Sequence, residues 1–399
     1  MAEPFPSPTV ASTVAPAAVP LPPADWYPDP ADPSRWRWWD GVTWTHHVSA
    51  PADRRPRLPR WLSWPVLVCG LLVVLLLVFI GVSSPWSVVA GLVPLVIVLP
   101  GLSWLDRVEP EPGSSRIHAL LWGATVAVVV ASVVNATVAL TAGEVAAMVI
   151  SAPLVEETAK AMGIVWAVRR RDIDGVSDGI VYAGWVALGF AVVEDVTYFA
   201  VADVDGALVE TVVLRALLTP FAHPLFTFWS GLAIGRAVAH SRRVWPSMLW
   251  GLGLAVLTHA AWNGTLALGA VTYEVDDELG AAVLIGGFVL FGVLFVAVAV
   301  ALYVFRRREQ RAFTAAVPGL VLRYAVSPAE AELFADWRAM LRSRRRLSQA
   351  RRREFDRMHA ALARLAWVQR QPTSVDTERE RVLVEQLQRA VREYREHGG

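Results

Sequence analysis

The chain has 399 residues, 55% of them hydrophobic, and a mean hydropathy of +0.42. That is too apolar for a water-soluble enzyme of this length, so the protein belongs in a membrane. A net charge of +1 says little about partners because the charges are segregated along the chain, and the one cysteine, Cys69, excludes an intrachain disulfide.

Residues 1–24 are mostly Pro, Ala, Val and Ser, and read as a disordered tail. Residues 25–48 carry five tryptophans, Trp26, Trp36, Trp38, Trp39 and Trp44. With Asp40-Gly41 as a turn signal between aromatic segments, this stretch predicts a small Trp-rich β unit. It resembles a short module of unknown function found on many membrane proteins of high-GC Gram-positive bacteria, which implies a bacterial plasma membrane. Residues 49–60 form a basic linker containing Arg54, Arg55, Arg57 and Arg60. No apolar signal segment precedes it, so the first spanning helix is expected to direct insertion.

Hydropathy over 61–305 predicts eight spanning helices, at about 61–81, 86–105, 117–140, 143–168, 179–201, 211–239, 245–269 and 281–305. The loops after the second, fourth, sixth and eighth are rich in arginine, whereas the alternate loops carry no Arg or Lys. The positive-inside rule therefore places both termini in the cytoplasm. Residues 306–399 read as a cytoplasmic helical region, with helices through Leu333 and Leu341, through Phe355 and Leu365, and over 382–394. Its Arg-rich stretch, 342–353, is expected to be a solvated face. The fold class is thus an all-α polytopic membrane protein with a small β unit at one end and cytoplasmic helices at the other.

Polar residues inside the spans carry the chemistry. Glu156, Glu157 and Lys160 lie in the fourth, where one such charge costs roughly 2.5 to 3.5 kcal/mol at a helix centre. Lys160 is i+4 from Glu156 and i+3 from Glu157, so one ammonium neighbours both carboxylates, and it is the chain's one lysine. The fifth helix carries Phe190 and Glu194 with Asp195, the sixth Pro220, His223 and Pro224, and the seventh His259 and Asn263. Counted along the helices, Glu156 and His223 lie roughly 18 to 20 Å deep, His259 about 14 Å and Glu194 about 10 Å. These groups are expected to converge in the outer half of the bilayer. Arg215 and His118 lie near helix ends, within snorkelling distance of the interface, and are assigned no role.

Glu156-Glu157-x-x-Lys160, Phe190-x-x-x-Glu194, His223 and His259-x-x-x-Asn263, in this order, resemble the PrsW family of intramembrane proteases. That family is similar to the broader CAAX-protease and bacteriocin-processing superfamily. The superfamily more often has Arg four places after the second glutamate, a position held here by Ala161. HExxH, GxGD and GxSG signatures are absent. The resemblance implies hydrolysis of a peptide bond in a single-pass membrane protein, characteristically site-1 cleavage of an anti-sigma factor.

One of Glu156 and Glu157 would be the general base, with Lys160 holding the other ionised. His223, His259 and Glu194 form a candidate Zn2+ set; alternatively His259 and Asn263 stabilise an oxyanion. A proton-coupled transporter and an inactive membrane scaffold are the competing classes. Besides substrate and lipid bilayer, no direct nucleic-acid partner is expected.

Overall fold

A computed structural model describes residues 25–39, 42–49, 62–107, 110–170, 172–240 and 242–324, together with parts of 333–394. The expected tail, most of the linker and the Asp40-Gly41 turn lie outside the described residues. The chain divides into two compact units, Met1–Leu58 and Pro59–Gly399.

In the first unit, β1 (Asp25–Asp29), β2 (Asp32–Trp39) and β3 (Trp44–Ser49) form an antiparallel sheet in the order β1-β2-β3. Tyr27 lies opposite Arg37, and Trp39 opposite Trp44. Cross-strand partners share a face, and the Trp44 ring accordingly packs 5.3 Å from Trp39 and 6.3 Å from Tyr27. Arg37 pairs with Asp29 at 3.1 Å on the same face.

The second unit is helical because a bilayer leaves the backbone no external hydrogen-bond partner. Its helices are α1 (Trp64–Ser83), α2 (Pro85–Leu105), α3 (Gly113–Ala142), α4 (144–169), α5 (Val176–Val204), α6 (Leu208–Ala239), α7 (Val244–Val275) and α8 (Asp277–Tyr324). Eight spanning helices are expected from hydropathy; among the described residues, seven helices are long and apolar enough to cross a membrane. The exception is α4. At 1.5 Å per residue it is about 39 Å long, but Glu156, Glu157 and Lys160 interrupt its apolar run.

Helix α5 is the centre of the bundle: 78% of its apolar stretch is buried, against 11 to 44% for the other six. Glycines let its neighbours approach. A Cβ on Gly231 of α6 would fall 2.4 Å from the Gly179 carbonyl oxygen of α5, and one on Gly189 of α5 would fall 1.9 Å from the Leu120 carbonyl oxygen of α3. Small residues are how spanning helices pack closely. Leu71, Leu75 and Phe79 of α1 are exposed, an outer face suited to hydrocarbon.

Three helices depart from regular geometry. π-turns occupy Gly123–Ala127 in α3, Ala147–Ser151 in α4 and Val213–Leu218 in α6. Helix α6 then breaks at residues 219–221 and restarts at Ala222. Pro220 and Pro224, which lack backbone donors, account for the interruption.

Beyond the bundle, Phe334, Met340, Phe355, Met358, Leu362, Leu365, Leu387 and Val391 are buried, the last two from the stretch expected to form a third helix. The described helix α9 (Trp337–Arg346) ends in the Arg-rich segment. Arg342, Arg345 and Arg346 are exposed, whereas Arg344 makes a bidentate pair with Asp356 at 2.6 and 2.7 Å and Arg352 donates to backbone carbonyls. The Arg344 pair lies at the surface, with the arginine side chain 41% exposed.

His359 is buried against Phe313 and Phe334, at 5.8 and 5.7 Å between ring centroids. Burial lowers its pKa from 6.5 to about 4. Between those values the unfolded state binds more protons, so stability here is complete above pH 6.5 and is lost as pH falls toward 4. The folding equilibrium of this region is expected to drop by up to about tenfold per pH unit in that window, measured by limited proteolysis. A His359→Phe variant should remove the dependence.

Candidate active site

Lys160 is the hub. It has no exposed surface, and its ammonium lies 2.9 Å from Glu157 Oε1, 3.3 Å from Glu156 Oε2 and 2.9 Å from His223 Nδ1. The i+3 and i+4 spacings on α4 supply the first two contacts, and the packing of α6 against α4 brings in the third. The Phe190 ring centroid lies 3.8 Å from Nζ, a cation–π contact that adds to the charge compensation.

The two glutamates have different surroundings. Glu157 has no exposed surface, and its oxygens accept from Lys160, from Thr227 Oγ1 at 2.8 Å and from His259 Nδ1 at 3.1 Å. Glu156 instead lines a cavity of about 900 Å³. Beyond Lys160, its contact is with Asn135 Nδ2 at 3.5 Å, and Ser151 Oγ donates to that amide's oxygen at 2.8 Å.

The hydrogen bonds fix both imidazole tautomers. An ammonium can only donate, so His223 Nδ1 accepts from Lys160 and its Nε2–H donates to Glu194 Oε2 at 2.7 Å. His259 donates Nδ1–H to Glu157, so the neutral imidazole carries its lone pair on Nε2. Phe226 stacks on the His259 ring at 4.5 Å and 18°, fixing its plane.

Ligand-type atoms of Glu156, His223 and His259 lie within 4.8 Å of one another. Two imidazoles and a carboxylate are the donor types of a zinc site, and each imidazole donates an N–H to a carboxylate, a common support for metal-binding histidines; His259 offers Nε2, whereas His223 Nδ1 accepts from Lys160 and would exchange that contact for a metal. The set differs from the expected His223, His259 and Glu194. Glu194 is adjacent, bonded to His223 and ion-paired with Arg215 Nη2 at 2.6 Å.

Arg215 was assigned no role, yet the structure places it at the cavity wall. It bridges Glu194 and Asp195, the latter at 2.7 Å, and lies 3.9 Å over the Tyr198 ring. Both Glu194 and Asp195 are therefore ion-paired. His118 likewise does not snorkel: it is buried, contacts Ser63 Oγ at 3.1 Å and stacks on Trp166.

Asn263 lines the cavity and donates Nδ2–H to the Met148 carbonyl at 2.8 Å, within the π-turn of α4. One of its two N–H groups is therefore already committed. Helix α7 runs to Val275 rather than 269, so His259 lies about 24 Å from that end.

A family model described as PrsW family intramembrane metalloprotease matches residues 111–303, and one described as a protein of unknown function (DUF2510) matches residues 24–57. The chain is similar to Protease PrsW of Geobacillus kaustophilus, 33% identical over 167 residues that cover 40% of this chain and 72% of that protein. Protease PrsW of Oceanobacillus iheyensis is 30% identical over 95 residues, covering 24% and 42% of the two chains. For Protease PrsW of Clostridioides difficile the identity is 28% over 154 residues, covering 36% and 64%. No solved structure matches.

Proposed function

This chain belongs to the PrsW family of intramembrane proteases, and from that premise we propose that it hydrolyses a peptide bond of a single-pass membrane protein near the extracytoplasmic face, with Glu156 acting on water. The observation that carries this reading is the 900 Å³ cavity, which joins Glu156, His223 and His259 within a bundle of apolar helices. Hydrolysis inside a bilayer needs water, and a cavity with Glu156, Glu194, His223, His259 and Asn263 in its wall offers it polar partners.

The cavity wall extends to Leu140 and Val271, close to the ends of α3 and α7 at Ala142 and Val275. Those ends are opposite the arginine-bearing loops, so the positive-inside rule puts the mouth on the extracytoplasmic side. In this reading α4 crosses the bilayer too, enclosed by its neighbours, and both termini are cytoplasmic. An anti-sigma factor is the substrate class we propose first, following the family's characteristic role.

Glu156 is the glutamate at the cavity wall, and it takes the proton of the attacking water. Lys160 balances the charge of the glutamate pair. Glu157 orients His259, while Glu194, held by Arg215, orients His223. His223 and His259 would hold a zinc ion beside Glu156, and such an ion would acidify water and polarise a carbonyl. The lone pair on His259 Nε2 favours a ligand over an oxyanion donor, and the Asn263 contact with Met148 points the same way.

The test is cleavage in liposomes, with the full chain and a panel of single-pass proteins, scored by mass spectrometry. New fragments cut toward the extracytoplasmic end are expected; intact substrates beside a pH-gradient-driven flux would replace the protease with a transporter. Chelator treatment should abolish cleavage and added zinc restore it. Hydrolysis that is indifferent to chelators would remove the metal from the mechanism.

A further inference from the structure

A second cavity, of about 260 Å³, lies among α2, α5, α6 and α8 and is walled by apolar side chains including Leu102, Leu105, Ile180 and Leu302. On α6, Pro224 and Phe228 face it, whereas His223 and Phe226 face the active-site cavity. An apolar cavity of about 150 Å³ already takes up benzene, so this one has room for a stretch of hydrocarbon.

Along α2 and α8 the rim of this cavity is aromatic and basic. Trp104 and Tyr303 stack with centroids 6.0 Å apart, Arg107 lies 5.0 Å over Trp104, and Arg307 lies 5.1 Å over Tyr303. Trp and Tyr at this position mark headgroup depth. Arg306 is 2% exposed; its Nη1 donates to Ser177 and Glu309, but its Nε and Nη2 have no hydrogen-bond partner among the described residues.

The acids nearby are few. Asp106 is bonded to Arg116 at 2.7 Å and to the Glu111 amide. Burial pushes its pKa up to about 6 against the pull of Arg116 and Arg306. Glu111 accepts from Tyr182 at 2.9 Å. Buried guanidinium N–H groups without acceptors are costly, and phosphate oxygens match the guanidinium fork.

We propose that this is a binding site for an anionic glycerophospholipid, with an acyl chain in the apolar cavity and the phosphate on Arg306 and Arg107. Basic pockets between spanning helices recognise lipid headgroups in this way. The hydrocarbon cavity beneath the arginines is what distinguishes the site from one for a free anion. The inference rests on the fold and is independent of the proposed cleavage.

The test uses the full chain in detergent micelles titrated with phosphatidylglycerol or phosphatidylcholine, counting bound lipid by native mass spectrometry. Phosphatidylglycerol should bind in preference. Arg306→Gln and Arg107→Gln should each weaken it by about fivefold, the effect of one basic residue near the surface. Ala299→Phe, which fills the cavity from α8 and alters no charge, should abolish retention of the lipid.

Arg107→Gln and Ala299→Phe keep the test decisive if Arg306→Gln fails to fold, and an unchanged thermal transition certifies each variant. Equal binding of the two lipids would overturn the proposal, as would full retention in both folded variants. Displacement of the lipid by excess inorganic phosphate would also overturn it, by showing a simple anion site.

Discussion

Glu156→Gln is expected to lower the rate of cleavage by about 10²- to 10⁴-fold, the range associated with loss of a general base, while leaving the protein folded. The substitution keeps the side chain's size at the wall of the 900 Å³ cavity. It removes a negative charge, but Lys160 keeps Glu157 at 2.9 Å, so the buried ammonium is not stranded. Glu157→Gln should behave differently. It weakens three contacts, with Lys160, Thr227 and His259, and should lower stability as well as activity.

The metal content of Glu156→Gln then separates two roles for this carboxylate. Bound zinc unchanged beside lost activity identifies a base, whereas lost zinc identifies a ligand. Full activity in Glu156→Gln would sink the assignment altogether.

Lys160→Met should be the most destabilising substitution in the bundle. Removing one partner from a buried ion pair typically costs about 3 to 5 kcal/mol, because the remaining charge stays buried and uncompensated. Here two carboxylates lose their cation, His223 Nδ1 loses its donor, and Phe190 loses its cation–π partner. Lys160→Arg is not expected to rescue it: the site is fully buried, and a planar guanidinium is broader than an ammonium. Combining Lys160→Met with Glu156→Gln and Glu157→Gln should recover much of the loss by removing the unpaired charges. Thermal unfolding in detergent measures all three, and a Lys160→Met transition equal to that of the parent would refute the account.

The residues that the structure adds to the site show how far spacing can be read. Thr227 lies four residues after His223 and so shares its helix face, which made its contact with Glu157 legible in principle. Arg215 precedes the α6 break, and near a predicted helix end it looked like an interfacial charge. The π-turn over Val213–Leu218 and the proximity of α5 give it Glu194 and Asp195 instead. Asn135, the amide beside Glu156, gave no local signal at all, because it shares no periodicity with the residue it touches.

What the sequence alone determined was the membrane class, the approximate course of the helices and the presence of Glu156, Glu157, Lys160, Glu194, His223, His259 and Asn263 on successive helices. Those properties are local: hydropathy accumulates along a segment, and i,i+4 spacing tells which side chains share a face. Only the tertiary structure decided that Glu156 meets the cavity while Glu157 lies behind it, that Glu156 joins the two histidines, and that Arg215 anchors Glu194. A helix carries its own periodicity, but the direction in which each face points is set by the neighbours that pack against it. Here that direction follows from the glycine crossings of α5 with α3 and α6, where the absence of a side chain lets the backbones meet.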